Sequence, residues 1–268
     1  MQNPTSSIVP RKRFGQNFLT DQNVIDNIIG AIAPKEDDQL VEIGPGRGAL
    51  TQQLSQRCSQ LRVIEIDRNL IKYLQQQPYF TQLTIIEGDA LSINFAQLAA
   101  QQQLRIVGNL PYNISTPLLF HLLQYRSCIG DMHFMLQKEV VERLCGQAGS
   151  KNYGRLSLMV QYYAQVEALF DVPPTCFYPA PKVNSMVVRI TPHPQLPYPA
   201  TDEDLLARLV NACFQQRRKT LRNSLRQICN SDMIQQVSID TQQRPEQLSL
   251  AEFVELCNEL HDLMKALE

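Results

Sequence analysis

Apolar and polar positions follow two different periods along the first part of the chain. Between residues 23 and 33 the apolar side chains recur with helical spacing, which predicts an amphipathic helix. Short, largely apolar runs then occur at QLVEI, LRVIEI, LTIIE, LRIVG and DMHFMLQ, and segments of helical pattern separate them. Because largely apolar strands are buried on both faces of a sheet, this order predicts an α/β fold with a parallel sheet covered by helices.

The pattern changes after residue 162. The stretches YYAQVEALFDV and KVNSMVVRI alternate between apolar and polar residues, which predicts a closing hairpin. The proline-rich segment TPHPQLPYPA is typical of a linker, and the residues after it show helical periodicity. The sequence therefore predicts a basic, flexible N-terminal arm over residues 1–13, an α/β domain over residues 14–195 and a small all-α domain over residues 196–268.

Composition excludes several classes of protein without indicating a ligand. The 268 residues carry a formal net charge of −1, and no apolar run approaches the roughly 18 residues of a membrane span. The N-terminus lacks the continuous apolar segment of a secretory signal. The seven cysteines form no C-x-x-C pair, and the four histidines are equally dispersed. We therefore expect no disulfide framework, no metal site and a cytoplasmic location.

Three successive predicted strands end in residues that suit a nucleotide. The segment GPGRG follows the first strand and opens a helix, where glycines let a ligand approach the backbone closely. The second strand ends at Glu65, whose carboxylate can accept hydrogen bonds from both ribose hydroxyls. The third strand is followed by Asp89, which can accept a hydrogen bond from an adenine amino group. Because open α/β sheets bind ligands at the carboxyl ends of their strands, we expect these groups to share one site.

Two cofactor classes fit the first two of these strands. Gly44, Gly46 and Ala49 satisfy the dinucleotide fingerprint G-x-G-x-x-G/A, with Glu65 as its acid. At this point the motif is therefore also compatible with a nicotinamide oxidoreductase, or with a tight turn that binds nothing. Asp89 favours a shorter adenosyl cofactor, and no evident proton donor for an oxidoreductase accompanies the fingerprint.

The segment GNLPYNIST after the fourth strand has a structural and a chemical interpretation. Asn109 and Pro111 can form a tight corner with no chemistry, and Tyr112 can simply cover the core. Alternatively, the Asn109 side-chain oxygen and the Leu110 carbonyl accept the hydrogens of a planar amino group and draw it toward tetrahedral geometry. Pro111 then fixes the turn, and Tyr112 stacks on the ring that carries the amino group. The helix that follows is predicted to have Thr116 as its N-cap.

These motifs resemble those of the ribosomal RNA adenine dimethyltransferase family. The resemblance rests on GQNFL, VEIGPGRGALT, VIEID, EGDAL, NLPYNIST and PTCFYPAPKVNS, and it extends from about Arg11 to Arg226. It implies a Rossmann-like class I methyltransferase sheet that binds S-adenosylmethionine. It further implies dimethylation of the amino nitrogens of two adjacent adenosines near the 3′ end of small-subunit (16S) ribosomal RNA, late in ribosome biogenesis.

The resemblance also implies roles for individual residues. The cofactor-binding positions are Asn17, Leu19, Gly44, Glu65, Asp89 and Asn109. The catalytic positions are Asn109, Leu110, Pro111, Tyr112 and Phe177. Phe177 and Tyr112 would form the two walls of a slot for an extruded adenine. For an isolated phenylalanine in a proline-rich loop, a place in the core is the structural alternative.

Basic residues cluster in two places despite the balanced total charge. One cluster is the arm Arg11–Arg13, and the other begins at Arg217 and contains no acid. Arg218, Arg222 and Arg226 fall on one row of a single predicted helix. We expect this helix and the arm to contact structured RNA, although a solvated charged face is the simpler interpretation of such a row.

Two functional alternatives remain beside the small-subunit enzyme. Resistance-type relatives methylate large-subunit ribosomal RNA with similar motifs, although NLPYNIST and FYPAPKVNS are closer to the small-subunit branch. The second alternative is a non-catalytic nucleic-acid-binding factor, against which the intact segment from Asn109 to Tyr112 argues. We expect a monomer that acts on small-subunit RNA in a precursor 30S particle, without a membrane or a metal ion.

Overall fold

The computed structural model describes residues 11, 15–99, 102–215 and 219–266, which form two compact units. The sheet unit comprises the described residues up to Val141 together with Glu167–Pro192. The helical unit comprises Glu142–Val166 and the described residues from His193 onward. The division expected near residue 195 cuts the chain once, whereas the units are interleaved, because the chain leaves the sheet unit and later returns to it.

Nine strands lie in the described part of the chain. They are β1 (Phe18–Leu19), β2 (Gln39–Ile43), β3 (Leu61–Glu65), β4 (Leu83–Glu87), β5 (Leu104–Asn109), β6 (Ile129–Gln137), β7 (Ala164–Val172), β8 (Phe177–Tyr178) and β9 (Ser185–Pro192). Seven of them form one sheet in the order β4-β3-β2-β5-β6-β9-β7, and β1 pairs with β8 in a separate ribbon. Strands β2 to β6 are parallel, and β9 runs antiparallel to β6. The predicted α/β fold with a parallel sheet is confirmed.

Helices connect these strands and continue after them. They are α1 (Gln22–Ile32), α2 (Ala49–Ser55), α3 (Arg68–Leu74), α4 (Phe95–Ala99), α5 (Ser115–Leu123), α6 (Lys138–Leu144), α7 (Arg155–Tyr163), α8 (Glu203–Gln215), α9 (Leu221–Leu225), α10 (Ser231–Gln236) and α11 (Leu250–Lys265). No helix in the described ranges is long and apolar enough to cross a membrane. From His193 onward the described residues form helices and turns without a strand, as the sequence predicts.

The order of the strands creates a crevice beside β2. The chain proceeds outward from β2 through β3 and β4, and then returns to the opposite side of β2 to form β5 and β6. The connections that follow β2 and β5 therefore diverge, and the carboxyl ends of these two strands border an open crevice. Beneath it, α1 buries Ile25, Ile28 and Ile32 against the sheet in one apolar cluster.

The start of α5 differs from the prediction that Thr116 is its N-cap. The helix begins at Ser115, and Thr116 lies inside it. The preceding turn accounts for this difference, because its carbonyl groups accept hydrogen bonds from residues just before Thr116 and so start the helix earlier. The Ile114 amide donates to the Pro111 carbonyl at 3.2 Å, and the Ser115 hydroxyl donates to the Tyr112 carbonyl at 3.1 Å. The turn from Asn109 to Tyr112 thus passes directly into the helix.

The prediction that a single helix carries the row of arginines is wrong. Thr220, the residue before α9, has an extended backbone at φ −67° and ψ 159°, so no continuous helix joins position 218 to Arg222. Arg222 lies in α9 and Arg226 is its C-terminal cap. Four other members of the two basic clusters lie outside the described residues, namely Lys12, Arg13, Arg217 and Arg218.

Candidate active site

A cleft of about 190 Å³ opens at the carboxyl ends of β2, β3, β4 and β5. All but one of the predicted site residues line it. These are Asn17, Leu19, Gly44, Glu65, Asp89, Asn109, Leu110, Pro111 and Tyr112. The structure therefore brings together, from distant points of the chain, nearly all the groups that the sequence analysis selected.

Three glycines shape the backbone in and next to the cleft. Gly44 and Gly46 have φ values of 69° and 58°, in the region that favours glycine, so the turn after β2 needs glycine at both positions. A Cβ on Gly46 would lie 3.1 Å from the Phe18 ring, which closes over the turn. A Cβ on Gly108 would lie 2.5 Å from the Ile43 carbonyl oxygen. Gly108 therefore lets β5 approach β2 closely at the point where the cleft begins.

Glu65 is held in one orientation at the end of β3. Its Oε1 accepts hydrogen bonds from the amides of Ile66 at 2.9 Å and Asp67 at 2.8 Å. The side chain is buried, and burial raises its pKa above the ordinary value, although hydrogen bonds from backbone amides act in the opposite direction. Glu65 thus presents a fixed hydrogen-bond acceptor to a ligand with hydroxyl groups.

Glu42 is a cleft residue that the sequence analysis missed. It is buried at the end of β2, and its Oε2 accepts a hydrogen bond from the Thr51 hydroxyl at 2.7 Å. Burial raises its pKa to about 7, and the nearby charge of Glu65 acts in the same direction. The signal in the sequence was an acid within the apolar run before the glycines, a position where an unpaired charge is costly.

The segment before β1 is attached to the rim of the cleft through Asp67. The buried carboxylate of Asp67 accepts hydrogen bonds from Arg11 Nη1 at 3.1 Å and from Gln16 Nε2 at 3.2 Å. It also accepts from the Asn69 amide at 3.0 Å and so caps α3. Arg11 was expected to contact RNA as part of a basic arm. In the structure its guanidinium pairs with Asp67 near the cleft and stays partly exposed, and the contact of Arg11 with RNA remains a prediction.

Asn109 is oriented by the same N-terminal segment. Its amide nitrogen Nδ2 donates to the Asn17 carbonyl at 3.0 Å. This bond uses the donor side of the carboxamide and directs its oxygen the other way. The next peptide is also fixed, because the Leu110 amide donates to the Met135 carbonyl at 3.2 Å. The turn therefore has defined positions for the two oxygen acceptors that the sequence analysis assigned to it.

Tyr112 is hydrogen-bonded to a residue of the segment PTCFYPAPKVNS, another of the motifs that resemble the family. Its phenol group is hydrogen-bonded to the hydroxyl of Ser185 at 3.0 Å, and Ser185 is buried as the first residue of β9. Ser185 ends the segment FYPAPKVNS, and the sequence analysis gave it no role. The contact links the two motifs in space, since Ser185 of one holds the Tyr112 ring of the other.

Phe177 is the predicted site residue that does not line the cleft. It is buried in the core cluster together with Leu19, its partner in the pairing of β8 with β1. Successive residues of a strand face opposite sides, so Phe18 and Tyr178 share the other side of this ribbon. The role of Phe177 as the second wall of the adenine slot therefore stays a prediction, because the ring lies in the core cluster and not along the cleft. The exposed aromatic ring of the motif belongs to Tyr178.

Comparisons with known proteins agree with this geometry. The family model described as ribosomal RNA adenine dimethylase matches residues 9–262. A ribosomal RNA small subunit methyltransferase A from Saccharophagus degradans is 54% identical over 252 residues, which cover 93% of this chain and 94% of the relative.

Two solved structures share the fold. A dimethyladenosine transferase from Plasmodium falciparum superimposes with a TM-score of 0.78 at 27% identity, covering 91% of this chain and 98% of the other. The 23S ribosomal RNA methyltransferase ErmE gives a TM-score of 0.70 at 22% identity, covering 91% of this chain and 100% of the other, and shows the fold alone. The sheet is thus that of a Rossmann-like class I methyltransferase. Because the match extends over nearly the whole sequence and includes the residues of the cleft, the chain belongs to the ribosomal RNA adenine dimethylase family.

Proposed function

We propose that the protein transfers two methyl groups to the amino nitrogen of each of two adjacent adenosines near the 3′ end of small-subunit (16S) ribosomal RNA. The observation that carries this proposal is the orientation of Asn109 at the cleft. Its amide nitrogen is engaged by Asn17, and its oxygen is the acceptor that an exocyclic amino group requires. The near-full-length similarity to a protein named for the small subunit supports the choice of RNA.

The cleft suits S-adenosylmethionine, which supplies an electrophilic methyl group when bound. Gly44 and Gly46 line the cleft without side chains of their own, and Glu65 offers a fixed acceptor for ribose hydroxyls. Asp89 lies at the rim, where one carboxylate oxygen accepts from the Leu91 amide at 3.0 Å, and the other is the acceptor for the adenine amino group. Asn17 and Leu19 complete the binding set from the N-terminal side.

The residues of the turn prepare the target nitrogen without a strong base. The lone pair of an aromatic amino group is delocalised into its ring, so the nitrogen is a poor nucleophile. Acceptors on Asn109 and Leu110 withdraw its hydrogens from the ring plane and localise the lone pair toward the methyl group. Tyr112, fixed through Ser185, holds the base by stacking. After transfer the nitrogen is cationic and releases its proton to water.

The proposal extends to the setting of the reaction. We infer that the protein acts as a monomer in the cytoplasm, on small-subunit RNA within a precursor 30S particle. The large-subunit alternative has weaker support, because the 23S methyltransferase ErmE shares the fold at only 22% identity. A purely non-catalytic factor would not need the bond that orients Asn109 at the cleft.

One experiment separates these alternatives. The protein is incubated with methyl-labelled S-adenosylmethionine and with small or large ribosomal subunits that lack adenine dimethylation, and the products are mapped by mass spectrometry of RNA fragments. We expect two labelled methyl groups on each of two adjacent adenosines of the small subunit. Asn109→Ala is the inactive control. Label in large-subunit RNA, or no label in either particle, would overturn the proposal.

A further inference from the structure

Tyr178 is an aromatic residue in an unusual environment. It is 59% exposed, the highest value among the large apolar and aromatic side chains of the described part of the chain. The exposure follows from the pairing of β8 with β1, which places Phe177 and Leu19 toward the core and Tyr178 on the opposite side. The core side of the ribbon is filled by Phe177, so the Tyr178 ring is not part of the apolar core.

A cation lies beside this ring and connects it to the cleft. The guanidinium carbon of Arg47 is 4.6 Å from the ring centroid of Phe18 and 5.8 Å from that of Tyr178. Arg47 and Phe18 both line the cleft, and Arg47 belongs to the glycine turn after β2. Tyr178 is therefore one side chain away from the cleft in which the target base is methylated.

The surrounding segment carries positive charge. Residues 173–185 contain no acidic side chain, and Lys182 is exposed within them. An exposed aromatic ring next to cations is the arrangement by which proteins bind single-stranded nucleic acid, since bases stack on the ring and phosphates contact the cations. This chemistry is independent of base identity and complements a cleft that accepts one particular base.

We propose that Tyr178 and Arg47 form a second contact site for the RNA substrate, next to the target adenosine. A neighbouring base stacks on the Tyr178 ring, and Arg47 contacts the phosphate between that nucleotide and the target. This inference rests on the proposed function, because it assigns a binding site to the nucleotide next to the target adenosine in the same RNA. Its effect is to keep the strand extended while the target base is held against Tyr112.

The first test concerns the stacking face. Tyr178→Ala is compared with Tyr178→Phe, which keeps the ring, and with Tyr198→Ala, which removes another exposed tyrosine at 45% exposure. We expect Tyr178→Ala to raise the KM for undermethylated small subunits about tenfold, the size of one lost stacking interaction. Tyr178→Phe and Tyr198→Ala should stay near wild type, and the Kd for S-adenosylmethionine should not change in any variant.

The second test concerns the cation. Arg47→Gln is compared with Arg57→Gln, which removes an exposed arginine that bonds to Gln53 at the end of α2. We expect Arg47→Gln to weaken RNA binding. The slope of the logarithm of the RNA-binding constant against the logarithm of salt concentration should become shallower by about one unit, the contribution of one phosphate contact. Arg57→Gln should leave this slope unchanged. If Arg47→Gln weakens binding of S-adenosylmethionine but not of RNA, Arg47 belongs to the cofactor site and the inference is overturned for it.

The outcomes distinguish this inference from the proposed function. Failure of the wild-type protein to label small subunits overturns the proposed function, and the RNA contact with it. Wild-type activity together with an unchanged KM in Tyr178→Ala overturns the stacking contact alone. Melting temperatures establish that each variant is folded. If Tyr178→Ala is unstable, Tyr178→Leu keeps the apolar bulk without the aromatic face, and an unchanged KM for that variant likewise overturns the inference.

Discussion

The turn from Asn109 to Tyr112 and the ribbon strand β8 are both part of recognised motifs, but their relation to the cleft differs. The turn follows a central strand of the parallel sheet, and all four of its residues line the cleft. Strand β8 has two residues and a single partner strand, and only its outward residue is exposed. A motif on a central strand is thus placed by the sheet itself, whereas a motif on a short ribbon is placed by the partner it pairs with.

The largest expected effect comes from the turn. Asn109→Ala removes the acceptor for the target amino group and the bond to the Asn17 carbonyl. We expect kcat to fall about 100-fold or more, as when one oriented polar group is removed from a reacting centre. The measurement is single-turnover methylation of small subunits, with the unfolding free energy as control. Unchanged turnover would mean that the turn is only structural.

The matching change on the ribbon should affect folding instead. Phe177→Ala removes a buried ring from the core cluster, and we expect the free energy of unfolding in urea to fall by about 3 kcal/mol. Phe177→Leu should recover most of that loss. If Phe177→Leu is stable and yet its kcat is as low as that of Asn109→Ala, the contrast between the turn and the ribbon fails. Phe177 would then contact the target base.

A smaller effect is expected where the two motifs meet. Ser185→Ala removes the hydroxyl that is bonded to the Tyr112 phenol at 3.0 Å. We expect kcat to fall roughly fivefold, in line with about 1 kcal/mol for one hydrogen bond. Tyr112→Phe should have a similar effect, and the double variant should be no worse than either single one. Full additivity in this cycle would show that the contact does not position the ring.

The smallest effect is expected at the attachment of the N-terminal segment. Arg11 is only partly buried, so its ion pair with Asp67 is weakened by solvent. We expect Arg11→Gln to raise the Kd for S-adenosylmethionine by less than about threefold, because Gln16 also binds the same carboxylate. Calorimetric titration measures this value. A large loss of RNA affinity without a change in cofactor affinity would contradict this expectation and support the prediction that Arg11 contacts RNA.

The sequence was sufficient for the sheet and for most of the cleft. Strands such as β2 and β5 are largely apolar, so a parallel sheet with its carboxyl ends at one edge follows from the pattern, whereas the order of the strands came from the structure. Local motifs then placed Glu65 and Asn109 correctly, because each comes directly at the end of such a strand.

Features that depend on tertiary pairing were not predictable from local pattern. The inward position of Phe177 follows from its register with Leu19, which lies far away in the chain. The bond between Tyr112 and Ser185 joins residues whose polar character alone gave no signal. The break between α8 and α9 was missed because the apolar spacing continues across it, although Thr220 is extended.

The interleaved course of the chain limits how the protein can be shortened. Helix α7 precedes β7 and β9 in the chain, and within the helical unit it packs against the later helices α8 and α11. Its residues Leu158, Val160 and Tyr162 are buried. Ending the chain after residue 195 would uncover this apolar surface in the middle of the remaining polypeptide. A minimal methyltransferase would therefore need residues 145–163, between α6 and β7, replaced by a short polar connection, and a simple C-terminal truncation should aggregate.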